Sequence, residues 1–255
     1  MSDIKCLVTS GCSFSEPYIR KTWPLWLEEK INSDNLFKLH YGLPSQGNNL
    51  IARKVIYGIH TALKEFKPDE ILVGIVWSGP DRHDSYFSNI MPGPNTDGWL
   101  INPTRFLSRP DEEVNDPGAW HIMNLHWEEP KSKIYYTYLH DSVNGIINTY
   151  EKLLWVQHYC KLMGVKYFMT TYMDEVLGDN DMKENSNISW MRSQIDFENF
   201  LPITSLLGWC LNTFGDNAFT KFITPTMKDY HPLEYMHEQF VDSVILPFIK
   251  TRYDI

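Results

Sequence analysis

The sequence predicts an α/β fold built on a mostly parallel sheet, and three observations carry that reading. Apolar, β-branched runs at residues 4–10, 71–77 and 165–171 have the length of strands covered on both faces. Between the first two lies an amphipathic stripe of Ile51, Val55, Ile59, Leu63 and Phe66, spaced four, four, four and three, with Arg53, Lys54 and Lys64 off it. Strand, loop, helix, strand at this spacing is a βαβ unit, which makes the strands parallel.

In chain order, the first strand stops at Gly11, where a turn is expected. A helix over 23–31 follows, then a second strand over 37–41, closed by Gly42-Leu43-Pro44-Ser45-Gln46-Gly47. Asn48 or Asn49 is the expected N-cap of the striped helix, and Lys67-Pro68 ends it. A second long helix runs from about 141 to 163, with Gly164 placed as its C-terminal cap. The last helix follows Pro232, with Leu233, Met236, Phe240, Val244 and Phe248 at helical spacings. Two weakly periodic stretches, 84–139 and 172–220, are rich in Pro, Gly, Asn, Asp and Trp. They follow strand ends, the side on which open α/β sheets bind ligands, and are read as insertions on a single domain spanning 1–255.

Composition narrows the function classes. At 43% hydrophobic and 22% charged, the chain has ordinary globular usage and is not a disordered one. Its net charge of −9 disfavours a nucleic-acid partner. No apolar stretch approaches the ~18 residues that span a bilayer, so no membrane role is expected. The N-terminus lacks a basic region followed by an apolar one, so the protein is expected to be cytoplasmic when made. Cys6, Cys12, Cys160 and Cys210 form no CxxC pair and no zinc spacing, and no metal or cofactor is expected. Aromatic residues reach 14%, enough to serve both a core and a ligand cleft; Trp99, Trp120, Trp127 and Trp190 fall in the insertions.

Two short segments carry candidate chemistry. In Thr9-Ser10-Gly11-Cys12-Ser13-Phe14-Ser15, Ser13 sits just beyond a buried strand, where a tight turn exposes its hydroxyl or where it caps a helix. In Asp229-Tyr230-His231-Pro232, an imidazole stands ahead of a proline-started helix with a carboxylate two residues earlier. That pair suits a general base and its orienter, or a turn histidine and a cap. Together they offer nucleophile, orienter and base in the chain order Ser, Asp, His. Asp81-Arg82-His83-Asp84 is too contiguous to converge on one ion, and Arg82 is read as an anion clamp or a structural partner. His121, His126 and His140 have no ligand spacing.

On these residues the chain resembles the SGNH (GDSL-like) hydrolases, in a divergent Gly-Cys-Ser-Phe form met in phage and environmental bacterial sequences. The resemblance places the nucleophile at Ser13 in Gly11-Cys12-Ser13, an oxyanion-binding amide at Gly47, and the orienter and base at Asp229 and His231. It implies a three-layer α/β/α sandwich of SGNH or flavodoxin-like type. The chain departs from the pattern in three places. Cys12 replaces the Asp of the first block, and is expected to face away from the reaction. Trp77-Ser78-Gly79-Pro80-Asp81-Arg82 replaces the third block, Gly-x-Asn-Asp, leaving Ser78, or Asn48 or Asn49, to supply the missing donor. Asp229 precedes His231 by two positions where the family has three, so a Ser13–His231 dyad remains if the carboxylate falls short. The implied activity is serine ester hydrolysis of a small ester or acylated carbohydrate such as an O-acetylated sugar. The alternative is a catalytically degenerate SGNH fold kept for binding, or as a phage structural or accessory protein associated with a virion.

Overall fold

A computed structural model describes residues 4–18, 20–31, 35–87, 100–101, 119–125, 130–177, 185–219, 222–224 and 227–254. In chain order the elements are β1 (Cys6–Gly11), α1 (Trp23–Ile31), β2 (Phe37–His40), α2 (Asn48–Ala62), β3 (Ile71–Trp77), β4 (His83–Phe87), β5 (Leu100–Ile101) and β6 (Ala119–Met123). There follow α3 (Pro130–Tyr138), α4 (Ser142–Met163), β7 (Lys166–Thr171), α5 (Ser186–Ser193), α6 (Leu206–Phe214), β8 (Phe222–Thr224), β9 (Met227–Lys228), α7 (Glu234–Phe240) and α8 (Leu246–Tyr253).

The expected α/β architecture is present, as a three-layer α/β/α sandwich. Its central sheet is parallel throughout, in the order β2-β1-β3-β7. Side-chain alternation along the strands explains both outer layers. Val8, Val73, Ile75, Trp77 and Met169 pack with residues of α2 and α4 on one face. Leu7, Leu72, Val76 and Phe168 pack on the other with residues of α1, α6 and the C-terminal helices. Each such Val, Leu or Ile contributes about 1.5–3 kcal/mol when fully buried. At Gly74 the second face is left open by design: a Cβ there would lie 2.8 Å from the Trp23 ring and 2.6 Å from that of Phe168. Those two rings fill the gap edge to face, with centroids 5.7 Å apart.

Helix ends follow the sequence in part. Asp141 caps α4 by accepting the Asn144 N–H at 2.8 Å, and Gly164 closes it in the left-handed region at φ 70°. The N-cap of α2 is Gly47, one residue before the expected Asn48 or Asn49. The helix also stops at Ala62, and Leu63 and Phe66 reach the core from the turn beyond it. The last helix is interrupted by a π turn, Val241–Ile245. Pro247 has no N–H to return to the carbonyl four residues earlier, which accounts for the widened turn.

The stretches 84–139 and 172–220 hold more regular structure than their composition suggests. The first contributes most of an antiparallel sheet ordered β4-β6-β5, followed by α3. The second contains α5 and α6, each opened by a side-chain cap: Asn185 accepts from Asn187 N, and Ser205 from Gly208 N. Among the described residues, no helix is long and apolar enough to cross a membrane.

Candidate active site

Ser13 is placed by the turn that leaves β1 at the carboxyl edge of the sheet. Cys12 is still extended, and Ser13–Ser15 form a single 3-10 turn closed by Ser15 N–H donating to Cys12 O at 2.9 Å. The turn folds so tightly onto the sheet that a Cβ on Gly11 would lie 2.3 Å from Ser15 Oγ and 2.8 Å from Val76 O. Ser15 is fixed in turn by the Trp23 indole N–H, 2.9 Å from its hydroxyl. The Gln46 amide donates to Gly11 O at 2.7 Å and holds the end of β1 to the loop after β2. Alternation then sends Cys12 into the core, fully buried, and leaves Ser13 part-exposed.

His231 arrives from the other end of the chain, in the segment that enters α7. Its Nε2 lies 2.8 Å from Ser13 Oγ. Its Nδ1 lies 2.5 Å from Asp229 Oδ1, and its backbone N–H donates to the same oxygen at 3.0 Å. The two-residue spacing suffices because the chain curls around the carboxylate, as Asp does in a turn. Asp229 therefore reaches the ring, and the arrangement is a triad in geometry where a dyad was one expectation. With Nδ1–H given to Asp229, the neutral ring keeps its Nε2 lone pair toward Ser13. The ring packs on Phe14, with centroids 5.2 Å apart.

The electrostatics favour that protonation state. Burial pushes the His231 pKa down; the Asp229 contact opposes this, but Arg20 and Arg82 add to the lowering and the net shift is downward. Burial alone would raise the Asp229 carboxyl, but its hydrogen bonds from the His231 ring and backbone hold it below the usual range. At neutral pH the site thus has a neutral imidazole beside an ionised carboxylate.

The opposite side of Ser13 differs from the expectation. Gly47 N–H donates to Asp84 Oδ1 at 2.9 Å, and Leu50 N–H donates to Oδ2 of the same carboxylate at 3.1 Å. Asp84 is thus the cap of α2, and the Gly47 amide is not available as an oxyanion donor. Asn48 is also committed. Its carbonyl accepts Ser78 N–H at 2.8 Å, and its amide donates to Ser78 O and Thr149 Oγ1, both at 3.0 Å. It staples the end of β3 to α4 and does not reach across the site. Ser78 is fully buried, and its hydroxyl accepts Arg82 Nη1–H at 2.9 Å. Asn49 lines a small polar cleft with Arg82, Asn148 and Lys152. The Arg82 guanidinium carbon lies 4.9 Å from the Tyr172 ring centroid.

The side chains of the 81–84 run diverge, as contiguity demands: Arg82 turns to Ser78, His83 stacks on Tyr135 at 4.2 Å, and Asp84 caps α2. Trp190 is exposed on α5. Trp99, Trp127 and His126 lie outside the described residues, and Trp120 and His121 belong to β6 by their backbone. Sequence reasoning missed Asp84 as a cap and Tyr172 as a wall of the site. The first has no local signal, since 37 residues separate it from Gly47. The second had one: Tyr172 is the residue that follows the apolar run of β7. The chain matches no family model and no curated protein.

Proposed function

We propose that the protein is a serine ester hydrolase that transfers an acyl group through Ser13 to water. The observation that carries this reading is the unbroken line Ser13 Oγ, His231 Nε2, His231 Nδ1, Asp229 Oδ1, with contacts of 2.8 and 2.5 Å. His231 takes the Ser13 proton as Ser13 attacks the carbonyl, then gives it to the departing alcohol. Positioned proton transfer of this kind is worth about 10²–10⁴ in rate. Asp229 fixes the tautomer and steadies the imidazolium. A neutral ester suits a chain of net charge −9 better than a phosphodiester does, and an O-acetylated carbohydrate is the proposed substrate class.

A second reading, a catalytically silent fold kept for binding or particle assembly, draws on the commitment of the Gly47 amide to Asp84. Hydrolysis of p-nitrophenyl acetate separates the two. The purified protein is expected to turn over, and Ser13→Ala to fall to the buffer rate. Equal rates in the two proteins would remove the esterase reading.

A further inference from the structure

Acyl transfer needs donors aimed at the charge that develops on the carbonyl oxygen, and the donors expected here are engaged elsewhere. The Gly47 amide is held by Asp84, and the Asn48 amide by Ser78 and Thr149. Two donors beside the nucleophile are differently placed. One is the amide of Ser13 itself, the first N–H of its 3-10 turn and so without an acceptor inside that turn. The other is Arg82, whose planar guanidinium carries five N–H groups and gives one to Ser78 Oγ.

A continuous set of contacts leads from Arg82 to the nucleophile. Its guanidinium lies over Tyr172, the Tyr172 ring meets Phe14 edge-on at 5.3 Å, and Phe14 packs on His231. The guanidinium is also close enough to His231 to lower the ring pKa by its charge. Its support is rigid: Ser78 is buried, and both backbone polar groups of Ser78 are tied to Asn48.

We propose that Arg82 is a catalytic residue, its guanidinium receiving the oxyanion together with the Ser13 amide in place of the Gly47 amide. The proposal rests on the serine-esterase reading above. As the bond from Ser13 Oγ to the carbonyl carbon forms, the carbonyl π pair moves onto oxygen and the Ser13 proton passes to His231 Nε2. The guanidinium N–H groups then hydrogen-bond the O⁻, and charge-assisted bonds of this type are roughly twice as strong as neutral ones. When the pair returns, the ester C–O bond breaks and the alkoxide leaves with the proton from His231. Water repeats the sequence on the acyl-serine and releases the acid.

The test uses the phosphorylation of Ser13 by diisopropyl fluorophosphate, in which the Ser13 O–P bond forms, fluoride leaves and the Ser13 proton passes to His231, followed by intact mass. Arg82→Gln is expected to slow labelling, and ester kcat with it, by about 10²–10³ with KM little changed. Millimolar guanidinium chloride is expected to restore part of the rate to Arg82→Gln, which a merely structural arginine would not show. Thermal melts establish that the variant is folded. If it is not, Arg82→Lys carries the test, with kcat expected to fall roughly tenfold because a point charge replaces a planar fork. Labelling of Arg82→Gln at the wild-type rate, with Ser13→Ala unlabelled, would overturn the role of Arg82 and leave the esterase reading standing. Wild type that is not labelled at Ser13 would overturn both.

Discussion

The nucleophile half of the site joins Ser13 to His231 across 218 positions of chain and keeps the spacing that proton transfer requires. The acceptor half, around Gly47, Ser78 and Arg82, is drawn from neighbouring loops, yet its amides have been closed off by Asp84 and Asn48. The difference has a physical source. A Ser–His–Asp line is stable in the resting protein because every member is hydrogen-bonded. An oxyanion hole must keep donors unsatisfied, and a buried unsatisfied donor costs about 1–3 kcal/mol. Asp84 satisfies the Gly47 amide, and on the proposed function the demand for a donor then falls on the Arg82 side chain.

The largest expected effect lies on the nucleophile half. In Asp229→Asn the amide oxygen still accepts from the His231 backbone and ring, but the charge that steadies the imidazolium is gone, so kcat/KM is expected to fall by about 10²–10⁴. The pH profile sharpens the point. Because the His231 pKa lies below its ordinary value, activity of the wild type is expected to rise with pH along a limb centred below pH ~6.5. Asp229 is the group that holds the ring pKa up, so the residual activity of Asp229→Asn should have its limb displaced to still lower pH. A limb that moves upward would break the pairing of Asp229 with His231.

Next in size is the turn that serves both halves. Gly11→Ala puts a Cβ where Ser15 Oγ and Val76 O now stand, and overpacking of this kind costs about 1–3 kcal/mol. At about 2–4 °C per kcal/mol for a chain of this size, the melting temperature should fall measurably. Activity should fall further than stability does, since displacing a reacting group by ~1 Å costs about a hundredfold. A stability loss with unchanged kcat would show that Ser13 is not held by this turn.

These expectations also mark what the sequence made legible. The stripe on α2 and the alternation in β1, β3 and β7 are local patterns, and they gave the sheet and its two cores. Ser13 and His231 were visible because each sits at the junction of a readable strand or helix. Whether Asp229 reaches the ring depended on how three residues curl, which composition does not specify. The fate of the Gly47 amide depended on a carboxylate 37 residues away, and such tertiary caps leave no periodic trace. In α5 and α6 a signal existed but was diluted: Asn185 and Ser205 stand at N-cap positions, yet helices of eight and nine residues give the pattern little length to emerge.

The smallest expected effect isolates the acceptor half. Burial raises the Asp84 carboxyl to about 6, against the pull of the Gly47 and Leu50 amides and of Lys54 and Arg82. In the unfolded chain the same group ionises near pH ~4. Between about pH 4 and 6 the folded state therefore binds more protons than the unfolded one, and Asp84 subtracts stability as pH rises through that window. Asp84→Asn removes the titration while its carbonyl still accepts one of the two amides. The variant is expected to gain on the wild type by on the order of 1–2 kcal/mol from pH 4 to pH 6, read as a growing difference in melting temperature. If Ser13 N–H and Arg82 receive the oxyanion as proposed, its esterase activity should stay close to that of the wild type, whichever of the two amides the Asn carbonyl keeps. A difference that shrinks with pH would mean that the carboxylate is stabilised where it lies, and that the closing of Gly47 is an ionic cap and not a buried acid.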